Sequence, residues 1–230
     1  MNLADSQATY SPDRRHAELV TQAAAHIREL LHGDSAGHDW WHIWRVWQTA
    51  RWLAQQEQAD VTVCELGALL HDIADWKFHG GDHTAGPRAA AAWLTQHGAD
   101  PALREQVCQI IAAVSFQGAG VPTPAATREA AVVQDADRLD AIGAIGVARA
   151  FAYGGAKGRL MYDPDQPPTL HDSFAAYQRN SGPTLNHFYE KLLLLKDRMQ
   201  TASGRRLAEE RHAFLELFLQ RFLAEWQPPA

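Results

Sequence analysis

Apolar residues recur at helical spacing along almost the whole chain, and no stretch alternates polar with apolar. That periodicity predicts an all-α fold, a single-domain helical bundle over residues 1–230. A first helix is expected from Ser11-Pro12, a capping residue followed by proline, with Ala17, Val20, Ala24, Ile27 and Leu31 on one side. The stretch from Gly33 to Gly37 breaks it. Further helices are predicted over about 39–56, 60–74 and 82–97, and from Asp100-Pro101 with Val107, Ile110, Ile111 and Val114 inward. The segment SFQGAGVPTP reads as a loop, and a long helix follows over about 127–152. Residues 153–183, rich in Gly, Pro and Asp, read as an ordered insertion with a short helix near 173–179. Two helices, about 184–199 and 203–226, close the chain. The core then falls in about 30–152 and 184–226.

The chain has 230 residues, 46% of them hydrophobic, enough for one sizeable core. No apolar run approaches the roughly 18 residues a membrane span needs. The opening MNLADSQATYSPDRR lacks the basic-then-apolar order of a secretory signal. Cys64 and Cys108 show no CxxC spacing and read as reduced core residues. A cytoplasmic location with no membrane partner is expected. The net charge of −6 argues against a binder of nucleic-acid polymers. A small anionic substrate is compatible with it, because cations can cluster locally. Arginine dominates the basic residues, with lysine only at Lys77, Lys157, Lys191 and Lys196. A homo-oligomer is compatible with the sequence.

The pair His71-Asp72 closes an apolar run, CELGALLHDIAD. Upstream, His42 lies in HDWWHIWRVW; downstream, Asp137 lies in VVQDADRLDAIGAIG and looks buried. Two imidazoles and two carboxylates form a ligand set suited to Mn²⁺, Fe²⁺, Ni²⁺ or Zn²⁺ better than to Ca²⁺. Singly, each has a plain reading. A lone histidine is more often a satisfied core residue, and Asp137 has Arg138 or Arg149 as an alternative ion-pair partner. Together they point to phosphoester or phosphoanhydride hydrolysis by an ion-activated water. Phosphates need cations. Arg45, three residues after His42, shares its helix face. Lys77 sits just past the His-Asp pair, and Arg138 follows Asp137 but is directed elsewhere. Lys191, Lys196 and Arg198 lie on the penultimate helix. His38 lines the pocket or caps the helix. Trp40, Trp41, Trp44 and Trp47 spread around theirs, some of them as core. Tyr177 lies in the insertion, which can cover a pocket or serve as an oligomer contact.

The order His, His-Asp, Asp resembles the HD superfamily of metal-dependent phosphohydrolases. The longer strings HDWWHIWRV, GALLHDIADWKF, DADRLDAIGAIGVARAF and HFYEKLLLLKDRMQTASGRRLAEERHAFLELFLQRF are similar to one subfamily, bacterial proteins near the nucleoside triphosphate pyrophosphohydrolases. The resemblance covers most of residues 30–225. It implies His42, His71, Asp72 and Asp137 as metal ligands, Asp137 rather than Asp135 or Asp140 because it matches the acid of the family's ADRL string. It implies Mn²⁺ as the ion, Asp75 as the base that holds the attacking water, and cleavage between the α- and β-phosphates. Nucleotide phosphatase activity and a non-catalytic nucleotide-binding role are the alternatives. Two-metal members carry further histidines; here the later helix reads IIAAVSFQ, so one ion is expected, with His83 as a substrate contact.

Overall fold

The structure, a computed structural model, describes residues 12–32, 39–74, 82 and 84–227. The described elements are helices, joined by turns and loops, with no strand among them. They run α1 (Pro12–Leu30), α2 (Trp40–Glu57), α3 (Val61–Leu70), α4 (Ala85–Gln96), α5 (Pro101–Ala113), α6 (Arg128–Asp140), α7 (Gly143–Ala156), α8 (Phe174–Gln178), α9 (Asn186–Glu190) and α10 (Ala202–Trp226). Helix starts follow side-chain chemistry. Asp39, Asp60, Asp100, Thr127 and Thr201 each accept a backbone N–H from the first turn of their helices.

The α3 helix is buried nearly all round, as expected of a central rod rather than a surface helix. It packs against α1, α2, α5 and α6. Gly67 lets it nest: a Cβ there would lie 3.2 Å from Ile110 Cγ2 and 3.3 Å from Val133 Cγ2. One apolar cluster runs from Leu19 of α1 to Leu219 of α10. The His71-Asp72 pair occupies the turn that ends α3, so it is anchored at the middle of the molecule.

Two predicted helices break. The helix expected over 127–152 is two, α6 and α7, joined by an elbow at Ala141–Ile142. Gly143 sits there at φ +77°, a left-handed conformation that glycine adopts without strain. The helix expected over 184–199 is the single turn α9 followed by 3₁₀ turns at Leu192–Leu194 and Lys196–Arg198. Leu192 and Leu195 are both buried, and their three-residue spacing matches the 3₁₀ repeat, not the α repeat. The third helix stops at Leu70 rather than near Ala74.

The insertion is tied down at several points. Thr184 and Leu185 donate backbone N–H bonds to Leu160 and Met161. Buried Glu190 accepts from Thr169 N and Asn180 Nδ2. Gly120 N donates to the His171 carbonyl, and Tyr177 meets Phe116 edge-on with centroids 5.3 Å apart. Tyr177 thereby becomes part of a wall over the end of α3.

Candidate metal centre

Four side chains of the sequence reading converge. His42 comes from the first turn of α2, His71 and Asp72 from the turn after α3, and Asp137 from the last turn of α6. One donor atom each from His42, His71 and Asp72 lie within 4.8 Å of one another. His42 Nε2 is 3.6 Å from Asp72 Oδ2 and 3.6 Å from Asp137 Oδ1. His71 Nε2 is 3.6 Å and 3.8 Å from the same two oxygens. Donors roughly 2.1 Å from one ion stand about 3.0–3.4 Å apart at right or tetrahedral angles, so separations of 3.6–3.8 Å need only a small closure to share a cation.

The far side of each imidazole fixes its tautomer. His71 Nδ1 donates to the Ala68 carbonyl at 2.7 Å, and His42 Nδ1 donates to Asp140 Oδ2 at 2.7 Å. A carbonyl and an ionised carboxylate only accept, so the proton sits on Nδ1 and each Nε2 lone pair faces the acids. Burial lowers the His42 pKa, and the Arg149 charge adds to this, which keeps the ring neutral near pH 7. Nitrogen lone pairs aimed at carboxylate oxygens repel, and a cation among them removes the repulsion. The donor set therefore fits a divalent metal.

Three acids of α6 serve three surroundings. Asp135, 0% exposed, accepts from Gln200 N, Thr201 N and Thr201 Oγ1. Asp137, which the sequence makes look buried, instead faces the cleft with its side chain 29% exposed. Asp140, 4% exposed, takes His42 Nδ1, Arg45 Nε at 2.6 Å, Arg45 Nη2 at 3.0 Å and Arg149 Nη1 at 2.9 Å. Burial pushes the Asp140 carboxyl up, but the bonds from His42 and Arg45 outweigh it and hold the acid well below the usual range.

The structure separates the remaining candidates. Arg138, Lys191 and Tyr177 line the same cleft as the four donors, together with Phe116 and Arg149. Arg138 contributes to this lining, but its guanidinium turns the other way, donating to Arg198 O and Thr123 Oγ1, which line a neighbouring pocket; it is buried, and burial pulls its pKa down to about 10. Lys191 Nζ also lies 5.4 Å from the Phe116 ring centre. Arg45 does not join the cleft lining, because Asp140 holds it on the other side of His42. Lys196 is on the second 3₁₀ turn and does not line the cleft either. Arg149 pairs with Asp140, not with Asp137. His38, Asp75, Lys77 and His83 lie outside the described residues. Asp140 and Arg149 were not singled out as site residues from the sequence; the only signal was an unexplained acid three residues after Asp137.

Comparison with known proteins agrees with this geometry. The HD domain family model matches residues 40–142, from the start of α2 to the elbow. YpgQ of Bacillus subtilis is 37% identical over 210 residues, covering 90% of this chain and 93% of its own. Its crystal structure in complex with ADP superposes with a TM-score of 0.67, covering 88% and 97% of the two chains. An HD-superfamily hydrolase from Bacillus thuringiensis is 42% identical over 92% of this chain and 98% of its own, with a TM-score of 0.70. A Lactobacillus plantarum protein is 34% identical over 91% and 97%, with a TM-score of 0.82. With the donors in that order and on those elements, the chain belongs to the HD superfamily of hydrolases.

Proposed function

We propose that the protein hydrolyses nucleoside triphosphates, deoxy forms included, to the monophosphate and pyrophosphate, with one divalent ion, Mn²⁺ by preference. The observation that carries this reading is the convergence of four donors from three elements in one cleft. The ADP complex of YpgQ supports a nucleotide as the occupant. The ion, when bound, activates a water and offsets phosphate charge as the bond breaks.

The chain's own groups do the rest. His42 and His71 present neutral nitrogens, and Asp72 and Asp137 two negative charges, from elements locked in the core. Lys191 and Arg138 hold the phosphates. Arg138 forms no ion pair among the described residues, and its buried Nε has no hydrogen-bond partner there. The Asp135 and Asp137 charges favour the guanidinium but do not outweigh the cost of its burial, so a polyanion in the cleft would stabilise it further. Tyr177 offers an aromatic wall to the base or sugar. Asp75 as general base, and Lys77, His38 and His83 as substrate contacts, complete the proposal from the sequence alone.

A Mn²⁺-supplemented panel of nucleoside tri-, di- and monophosphates with product identification tests it. Monophosphate plus pyrophosphate is the expected result. Orthophosphate release replaces it with a phosphatase, and no turnover leaves a nucleotide-binding protein. Activity is expected to vanish in Asp72→Ala, and a fully active variant would remove the metal-dependent reading.

A further inference from the structure

We propose that Asp140 is a positioning residue for the metal centre, and that Arg149 reaches it only because the chain bends between α6 and α7. The proposal rests on reading the four converging donors as a metal site. Asp140 is no donor to that site: it touches His42 on Nδ1, the side away from Asp72 and Asp137. Its two oxygens accept four polar hydrogens. Oδ1 takes Arg45 Nε, and Oδ2 takes Arg45 Nη2, Arg149 Nη1 and His42 Nδ1. Turning the carboxylate would break bonds to three side chains on two helices, α2 and α7, at once. Two guanidiniums hold it ionised, so it can only accept, and the His42 proton stays on Nδ1 with the Nε2 lone pair facing the cluster.

The bend makes this possible. Arg149 follows Asp140 by nine residues, which in an unbroken helix is about 13.5 Å along the axis. The elbow at Ala141–Ile142, with Gly143 at φ +77°, folds α7 back, and Arg149 reaches both the side chain and the carbonyl of Asp140. Arg45 arrives from α2, one turn past His42. The clamp thus joins the helix that carries His42, the helix that carries Asp137, and a third helix that carries neither.

The test uses the full chain with ¹⁵N-labelled histidine. In the chelator-treated wild type the His42 proton is expected on Nδ1. In Asp140→Asn a neutral amide, a weaker acceptor than the carboxylate and free to turn either its oxygen or its NH₂ toward Nδ1, no longer fixes the ring, and a mixture of Nδ1 and Nε2 tautomers is expected. Mn²⁺ affinity, read by titration of the free-ion EPR signal, then falls about 10- to 100-fold. Asp135→Asn, an equally buried acid on the same helix, leaves both readouts at the wild-type value. Should Asp140→Asn fail to fold, Arg149→Gln replaces it, with a smaller but measurable loss of Mn²⁺ affinity. An Asp140→Asn protein that binds Mn²⁺ like the wild type and keeps the proton on Nδ1, or an Arg149→Gln protein of unchanged affinity, overturns the proposal. A wild type that binds no Mn²⁺ removes the metal site instead, and the tautomer, measured without metal, still decides the role of Asp140.

Discussion

Asp135 and Asp140 stand less than two turns apart on α6 and are almost equally hidden, yet their surroundings are opposite. Asp135 meets two backbone amides and a hydroxyl, all neutral donors. Burial, opposed by those bonds, leaves its pKa raised. Asp140 meets two guanidiniums and an imidazole, and its pKa is depressed. The first acid fastens the start of α10 to α6; Thr201, which caps α10, shares its hydroxyl between Asp135 and the helix. The second orders the back of the candidate metal centre. Equal burial therefore says little about what a carboxylate does. The charge of its donors distinguishes a fastener from part of a site.

Substitutions sharpen this contrast. The largest effect is expected from Asp137→Ala, which removes a donor itself: Mn²⁺ affinity should fall beyond the roughly 100-fold limit of an outer partner. Binding within a factor of a few of the wild type in an isotherm would place Asp137 outside the site. Next come two glycines. A Cβ on Gly204 would lie 2.5 Å from Asp135 Oδ2, so Gly204→Ala should cost about 1–3 kcal/mol of stability and leave Mn²⁺ affinity unchanged. Gly143→Ala strains the elbow by about 1 kcal/mol, yet should weaken Mn²⁺ binding by displacing Arg149. Calorimetry and Mn²⁺ titration of both variants would reverse the assignment if Gly204→Ala were the one to lose the ion.

The smallest effect is on acid stability. The Asp140 pKa is lower folded than unfolded, so its contribution is complete above the unfolded value near about 3.9 and is lost as pH falls below it. The raised Asp135 pKa acts with the other sign: its penalty is relieved as pH falls through the folded value. Metal-free Asp140→Asn should therefore lose stability less steeply than the wild type below about pH 4. Parallel melting-temperature curves would mean that the two acids do not differ as described.

Helix starts were legible in the sequence because each is set locally, by one capping side chain and its next three residues; Asp39, Asp60, Asp100 and Thr127 are examples. The elbow was not, since Ala-Ile-Gly-Ala-Ile-Gly keeps helical apolar spacing across the break, and only the φ of Gly143 reveals it. The run Leu192–Leu195 misled for a related reason: four leucines satisfy an α and a 3₁₀ reading equally, and packing of Leu192 and Leu195 chose the second. At the site, the convergence of His42, His71, Asp72 and Asp137 could be anticipated from residue type and order. Arg45, expected to serve the phosphates, was misplaced, because sharing a helix face with His42 does not say which neighbour captures a guanidinium. Asp140 captures it, and Asp140 lies 95 residues away in the chain.

The elbow has a consequence for where this molecule can be cut or grafted. The matched segment, 40–142, contains every candidate donor but ends before Arg149. A graft of that segment onto another scaffold would carry the ligands and leave behind a guanidinium that holds Asp140 against His42. The smallest transplantable unit of the chemistry is thus longer than the smallest recognisable unit of the family, by at least the first two turns of α7.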